Sequence, residues 1–372
     1  MKNILKFTGV IATASLLAGC STSAVIANPS VSAEQTKSAT EAANGVVITN
    51  ENFIHADSAR AYLKEIAIAG KVNTIRPLRV MVNTDNQDVI RMNSDTLYSR
   101  VILDVKGGAT ITTKKYDGYQ NIMVLDPNHS EIKTLTGYGT VKLDESMLTE
   151  GHHAYIIVRT GLLRDLPEKE TFAKAHKAQD NISITFKSSE PFVPAVKYDF
   201  TTLDKVKYKI LTDFALHPKK DTVKNGFGTM KSRDPESART VVAVGWGGLS
   251  GTNAIYSAFL GTGERQSMTI DKPNLHYAKK GFFSMTIYNG DGYIATMNYA
   301  LNSDDMVENK EGTITLNFIA SGEPTDGLIN VVRTPRGKKW TGIIRAYYPK
   351  NKDETFAWAD GWTAKMQKAF NK

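Results

Sequence analysis

The chain has 372 residues, of which 41% are hydrophobic and 9% are aromatic, a composition typical of globular domains with sizeable cores. Its formal net charge is +8, but basic residues form neither a long run nor a stripe interleaved with aromatics, so nucleic acid is not an expected partner. A single cysteine, Cys20, excludes an internal disulfide, so stability must come from core packing.

The first twenty residues have the features of a bacterial lipoprotein signal. Basic residues precede a short apolar run at 7–18, which cannot span a bilayer, since a spanning helix needs about 20 residues. The run ends in Leu-Leu-Ala-Gly-Cys at 16–20, which resembles the lipobox of bacterial lipoproteins. The resemblance implies loss of residues 1–19 and a lipid on Cys20. The alternative is an ordinary signal peptide with a chance cysteine.

The lipid on Cys20 would make a membrane of the bacterial cell envelope the first expected partner. Ser21, where inner-membrane lipoproteins of enteric bacteria have aspartate, favours the outer membrane, with the protein facing the periplasm or the cell surface. Residues 20–48 are rich in Ser, Thr and Ala without periodicity, which predicts a flexible tether between the anchor and the folded part.

Residues 49–195 are predicted to form a β-sandwich domain with a leading helix. Apolar residues recur at helical spacing over 51–69, and Gly70 suits the end of that helix. Short alternating or β-branched runs separated by turn residues follow between about 78 and 160, which is typical of a sandwich. A helix at 165–180 and one more strand complete the domain.

Residues 196–265 are predicted to be a helical connecting region. Leu203, Val206 and Ile210 share one helical face, and Pro235–Val244 is a second helical segment. Residues 254–260 are predicted to form a third helix, after an interruption by glycines around residue 246.

Residues 266–372 are predicted to form a second β-sandwich with a terminal helix. Alternation over 283–287, a glycine-rich turn and a return strand at 293–297 predict a hairpin. Further strands are predicted at 314–318 and 341–348. The expected fold class is therefore mainly β with helical segments (α+β), with two jelly-roll-like β-sandwich domains joined by a helical region.

Two sets of sequence blocks resemble a known pair of domains. Residues 93–99 and 155–161 resemble domain of unknown function 1254 (DUF 1254), although Ser94 stands where that family usually has arginine. The blocks at 245–249, 282–288 and 345–349 look like its partner, DUF 1214. The resemblance implies two jelly-roll β-sandwiches with helices between them, and it implies no particular activity.

The densest polar cluster comprises Arg91, Asn93, Asp95 and Tyr98. In a strand, the first three would share a face, and a carboxylate between an arginine and an amide suits ligand binding or acid–base chemistry. The alternative is a buried structural network in which Asp95 caps a turn. Trp246 is a second candidate, because its indole offers a stacking face beside bare glycine backbone; the alternative is packing between the domains.

No metal or cofactor is expected from the sequence. The histidines lack a tight ligand spacing such as HExxH. His152 and His153 are adjacent before a predicted strand, where neighbouring side chains face opposite ways. The glycine pairs lack the third glycine of a dinucleotide-binding loop.

The sequence therefore predicts an envelope lipoprotein that binds a small molecule or glycan, or serves an accessory role, with its site at the domain junction near Asp95 and Trp246. One alternative is a hydrolase or lyase that uses Asp95 as general acid or base and Arg91 to stabilise negative charge. Another is a scaffold for a second envelope protein. The oligomeric state stays open.

Overall fold

The computed structural model describes residues 45–261, 263–294, 296 and 298–370. Over these residues the chain forms two β-sandwiches with helices around them, which confirms the predicted mainly β, α+β class. The predicted lipidation site, Cys20, and the signal residues 1–19 lie outside the described residues.

The elements alternate between long β segments and a helical middle. The strands are β1 Val46–Val47, β2 Arg76–Pro77, β3 Thr96–Asp104, β4 Ala109–Thr113, β5 Gln120–Leu125, β6 Glu131–Thr136, β7 Gly139–Leu143, β8 His153–Gly161, β9 Ser183–Phe186, β10 Tyr198–Asp199, β11 Ala254–Gly261, β12 Gln266–Ile270, β13 Phe282–Asn289, β14 Ala300–Asn302, β15 Ile314–Ala320, β16 Val331–Thr334 and β17 Trp340–Tyr347. The α-helices are α1 Phe53–Ala69, α2 Glu168–Asp180, α3 Leu203–Leu216, α4 Thr222–Gly226, α5 Pro235–Val244 and α6 Lys352–Phe370.

The first β-sandwich packs the sheet β2-β3-β8-β5-β6 against the sheet β7-β4-β9. The side chains of strand β3 alternate between the two faces of the five-stranded sheet. Val101 and Leu103 enter the core between the sheets, whereas Tyr98 and Ile102 join a different apolar cluster on the opposite face. The five-stranded sheet is therefore covered on both faces.

The second β-sandwich packs the sheet β11-β17-β13-β14 against the sheet β12-β15-β16. Along β13, Phe283 and Met285 enter the core of this sandwich, and Phe282 and Tyr288 lie in the cluster shared with the first sandwich. The predicted return strand of the hairpin is wrong, because β13 pairs with β14 at 300–302 rather than with residues 293–297. Residues 295 and 297 lie outside the described part.

The outer faces of the two large sheets pack against each other. Ile102 and Met123 of the first sandwich share one apolar cluster with Ile343 and Tyr347 of the second. Polar residues of β13 that alternate with the apolar ones are also buried there, Ser284 among them. Buried polar groups usually need partners, and Ser284 finds one in Asp95, to which its hydroxyl donates at 2.7 Å.

Helices α1, α3 and α5 pack together around Phe53, Leu203 and Val242. Helix α5 begins as predicted, with Pro235 in its first turn and the Asp234 carboxylate accepting from the Ser237 N–H at 2.8 Å. In the described part of the chain, no helix has both the length and the hydropathy that crossing a membrane requires.

Two predicted boundaries are wrong. Residues 254–260 form strand β11 rather than a helix, paired with β17 from Ala254 opposite Tyr347 onward. The helices of the connecting region therefore end at Val244. Val46, near the end of the predicted tether, belongs to strand β1, which runs parallel to β10.

Candidate functional site

The predicted polar cluster lies in a loop, not in a strand. Residues 91–95 precede β3 with irregular backbone, and Arg91 has a φ of 58°. The shared strand face predicted for Arg91, Asn93 and Asp95 is therefore wrong. The loop enters the junction between the two sandwiches, and each side chain there has a partner of its own.

Arg91 and Asn93 tie the loop to its surroundings. The Arg91 guanidinium donates to the Val244 carbonyl at 3.0 Å, and the Arg91 carbonyl accepts from Arg345 at 2.9 Å. Burial lowers the pKa of Arg91 to about 10. The Asn93 amide donates to the Tyr347 hydroxyl at 2.6 Å. Both side chains thus serve as cross-links of the junction.

Tyr98 and Trp246 are packed in the apolar part of the junction. The guanidinium of Arg159 lies 5.8 Å from the centre of the buried Tyr98 ring. The Trp246 indole packs edge-on against Tyr155 and His129, with ring centres 4.7 and 5.0 Å away. Among the described residues, Trp246 does not line the cavity that Asp95 lines.

Asp95 is the predicted site residue that lines a cavity. A cleft of about 260 Å³ lies at the junction, bordered by the end of β8 and the beginning of β13. Its polar side chains come from both sandwiches and from the loops at their edges: Asp95, Tyr119, Arg164 and Asp165 from the first, and Tyr277, Lys280, Asn302 and Asp304 from the second.

Asp95 is almost fully buried in the wall of this cleft, with 2% of its surface exposed. Its Oδ2 accepts from the Ser284 hydroxyl at 2.7 Å. Burial raises the pKa of Asp95, although the positive charges of Arg345 and Arg164 act in the opposite direction. Asp95 therefore keeps its proton to a higher pH than an exposed aspartate does.

Arg164 acts on two of the three carboxyl groups that line the cleft, those of Asp95 and Asp304. Burial raises the pKa of Asp304, and the charge of Arg164 opposes the rise, as it does at Asp95. The guanidinium donates to the Asp305 carboxylate at 2.6 Å, but its Nε is buried with no hydrogen-bond partner in the described structure. The Tyr119 hydroxyl is also buried without a partner there. Both atoms are buried within the wall of the cleft rather than exposed on its surface.

The sequence did not single out Arg164 or Lys280 as site residues. Arg164 lies in the loop between β8 and α2, and Lys280 follows a short 3₁₀ turn with a φ of 66°. Tyr119 belongs to neither predicted candidate site, although it follows a glycine that precedes β5. No local pattern marks Arg164 or Lys280, and Gly118-Tyr119 is marked only by its resemblance to DUF 1254; the fold brings all three residues to the cleft of Asp95.

A different group of side chains has the composition of a metal site. Ligand atoms of Asp104, His152 and His153 all lie within 4.8 Å of one another. The prediction that the two histidines face opposite ways is wrong, because their ring centres are only 4.3 Å apart. His152 precedes β8, so the alternation of a strand does not yet apply to it.

Comparison with known proteins relates the fold to one solved structure of a bacterial protein. No family model matches the chain, and no curated protein matches it. The structure of the VPA0106 protein from Vibrio parahaemolyticus is similar, with 14% identity, a TM-score of 0.57, and 82% of this chain and 95% of that chain covered. The match to an uncharacterised protein from Burkholderia cenocepacia covers 81% of this chain and 84% of that chain, with 12% identity and a TM-score of 0.48. The Vibrio likeness shows that the fold is shared and nothing further.

Proposed function

We propose that the cleft between the two β-sandwiches binds a small polyhydroxylated compound, such as a sugar unit, in a protein anchored to the bacterial cell envelope. The observation that carries the binding site is the convergence of Asp95, Arg164 and Lys280, which come from both sandwiches, on one cleft. A cleft with a few convergent polar and charged groups is typical of a small-molecule site.

The mixed charge of the cleft favours hydroxyl groups. Arg164 and Lys280 only donate hydrogen bonds, whereas ionised carboxylates only accept them. A hydroxyl does both and adds no net charge, so a polyol fits beside Asp95 and Asp304 better than a strongly anionic ligand does. The cleft volume of about 260 Å³ limits the ligand to a small molecule, since pockets for drug-sized ligands have volumes of about 300–1,000 Å³.

The proposed location rests on the sequence at 16–20 and on its resemblance to a lipobox. A lipid on Cys20 would hold the folded sandwiches at the membrane through the chain that follows it. The resemblance to DUF 1254 and DUF 1214 is likewise proposed, and the first of its blocks contains Asp95. Radiolabelled palmitate and membrane fractionation test the anchor: the wild type should be labelled and sediment with membranes, and Cys20→Ser should do neither. An unlabelled wild type contradicts the lipid anchor.

A thermal-shift screen of the full-length protein against hexoses, N-acetylhexosamines, uronic acids and short envelope glycans tests the ligand class. A binder at 100 times its dissociation constant stabilises the folded state by about 2.7 kcal/mol. The shift should be lost in Asp95→Asn and Arg164→Gln. It should persist in Glu311→Gln, a matched change at an exposed carboxylate of the second sandwich. A sugar that stabilises wild type and Asp95→Asn equally places the site elsewhere, and no shift with any sugar refutes the ligand class.

The raised pKa of Asp95 also favours a second candidate, a hydrolase or lyase with Asp95 as general acid. Arg164, rather than the predicted Arg91, would then stabilise negative charge, since Arg91 is bonded to the Val244 carbonyl. Chromogenic glycosides separate the two candidates. Turnover that disappears in Asp95→Asn supports an enzyme, and binding without turnover supports a binding protein.

A further inference from the structure

Three segments of the first sandwich bring metal-binding side chains together outside the Asp95 cleft. Asp104 ends β3, and His153, which begins β8, lies directly opposite it in the register of the two strands. His152 precedes β8, and Glu190 follows β9 in the chain. The pairing of β3 with β8 therefore places a carboxylate beside two imidazoles, although Asp104 and His152 are far apart in sequence.

Each imidazole has one ring nitrogen held by an oxygen. His152 Nδ1 lies 2.8 Å from Asp104 Oδ1, and His153 Nε2 lies 2.8 Å from the Glu190 carbonyl oxygen. Metal-binding histidines are typically oriented in this way, because an oxygen acceptor fixes the tautomer and leaves the lone pair on the other nitrogen. The other nitrogen of His152, Nε2, lies 3.3 Å from Glu190 Oε2. In this arrangement Asp104 orients His152 and Glu190 is the nearby carboxylate ligand; if Asp104 binds the ion instead, its bond to His152 Nδ1 must break.

We propose that His152, His153 and one carboxylate, from Asp104 or Glu190, bind a divalent transition-metal ion of the Zn²⁺ class. Two imidazole nitrogens and a carboxylate oxygen are a donor set that suits zinc, whereas magnesium and calcium prefer oxygen ligands alone. The atoms of Asp104, His152 and His153 lie within 4.8 Å of one another. They must move closer on binding, because zinc bonds to nitrogen and oxygen are about 2.0–2.2 Å long.

Charge and access are consistent with a bound cation. Asp104 is fully buried and Glu190 is about half exposed, so one carboxylate is fixed and the other can move. His152, His153 and Glu190 line a cleft of about 340 Å³, distinct from the Asp95 cleft. Three protein ligands beside a cleft leave a coordination position for water or a small ligand, as in catalytic zinc sites.

The competing explanation is a purely structural network. Asp104 accepts from the Lys106 N–H at 3.1 Å and from the Glu190 N–H at 2.8 Å, and these bonds alone would fix the loops. A structural network needs the two histidines only as neutral donors. The two explanations differ in whether the protein takes up a metal ion at this place.

Calorimetric titration of the chelator-treated full-length protein with ZnCl₂ decides between them. We expect one equivalent of Zn²⁺ in the wild type, and affinity at least about 10-fold weaker in His152→Gln and in His153→Gln. His217→Gln, at an exposed histidine directly after α3, is the matched control and should bind as the wild type does. Titration with Co²⁺ should give visible absorption bands of a nitrogen–oxygen site in the wild type.

Less than one equivalent of Zn²⁺ in the wild type overturns the metal site. So does an equal affinity in the wild type and both cluster variants, or a loss of binding in His217→Gln. Far-UV circular dichroism checks that the variants fold. If neither cluster variant folds, the wild-type stoichiometry and the Co²⁺ spectrum decide, and the absence of Co²⁺ bands then overturns the proposal.

Discussion

Glu65 is the buried charge that connects helix α1 to the first sandwich. Only 2% of its surface is exposed. Its carboxylate accepts from Arg76 Nε at 2.6 Å, from a terminal Arg76 nitrogen at 2.7 Å and from the Tyr155 hydroxyl at 3.2 Å. A guanidinium nitrogen of Arg100 lies 3.7 Å away. The substitution Glu65→Gln keeps the shape of this side chain and removes its charge.

The expected cost follows from this geometry. The glutamine amide turns a donor toward Arg76 or Tyr155, so at least one of the three bonds is lost. Arg76 also loses its counter-charge, whereas Arg100 keeps its pair with Asp88 at 2.9 Å. Breaking a buried pair from one side costs about 3–5 kcal/mol. The Arg76 side chain is 21% exposed and recovers part of its hydration, so we expect the lower end, about 3 kcal/mol.

Urea denaturation followed by circular dichroism measures the free energy of unfolding. Asp204→Asn is the matched control, because Asp204 pairs with Arg60 at 2.8 Å but has 81% of its side chain exposed. An exposed pair contributes about 0.2–1 kcal/mol. If Glu65→Gln lowers the free energy of unfolding by no more than Asp204→Asn does, the assignment of a buried ion pair between α1 and the sheet is refuted.

Three other substitutions test the cleft and the second core. Tyr119→Phe removes a buried hydroxyl that has no hydrogen-bond partner among the described residues, so urea unfolding should show unchanged or higher stability, by up to about 1–3 kcal/mol. A clear loss of stability contradicts this. The pKa of Asp95 is raised above the unfolded value of about 3.9, so its contribution to stability is full below about pH 4 and is lost as the pH rises through the folded pKa. Asp95→Asn should therefore gain stability relative to wild type as the pH rises from 4, and a constant difference up to pH 8 argues against burial of the acid. In Gly342→Ala the new Cβ would lie 2.1 Å from the Phe259 ring, so we expect the free energy of unfolding to fall by about 1–3 kcal/mol or more. Gly290→Ala is the control, because its Cβ meets open space and the free energy of unfolding should change by no more than about 0.5 kcal/mol. Equal melting temperatures of the two variants contradict the packing of Gly342 against Phe259.

Local signals in the sequence predicted much of the fold. Asp234 and Pro235 mark the beginning of α5, and alternation over 283–287 marks β13, so both elements lie where they were expected. Strand β11 was missed because both of its faces are covered. Ala254 joins the cluster at the junction and Ile255 joins the core of the second sandwich. A strand buried on both faces lacks the polar alternation that distinguishes it from a helix.

The site was predicted only where a single loop contains it. Asp95 belongs to a compact polar motif and does line the cleft. Arg164, Lys280 and Asp304 come from loops far apart in the chain, and the packing of the two sandwiches determines where they meet. His152 and His153 were set aside because the exact beginning of β8, on which their relative direction depends, cannot be deduced from local alternation.

Calorimetric titration with the sugar that gives the largest thermal shift tests the cleft most directly. A ligand that accepts from the Arg164 guanidinium loses a charge-assisted hydrogen bond in Arg164→Gln, which weakens binding by about 1.4 kcal/mol or more, a factor of about ten in affinity. We therefore expect one binding site in the wild type, at least about tenfold weaker binding in Arg164→Gln, and unchanged binding in Glu311→Gln. Equal affinity in all three proteins would contradict a ligand site between the two β-sandwiches.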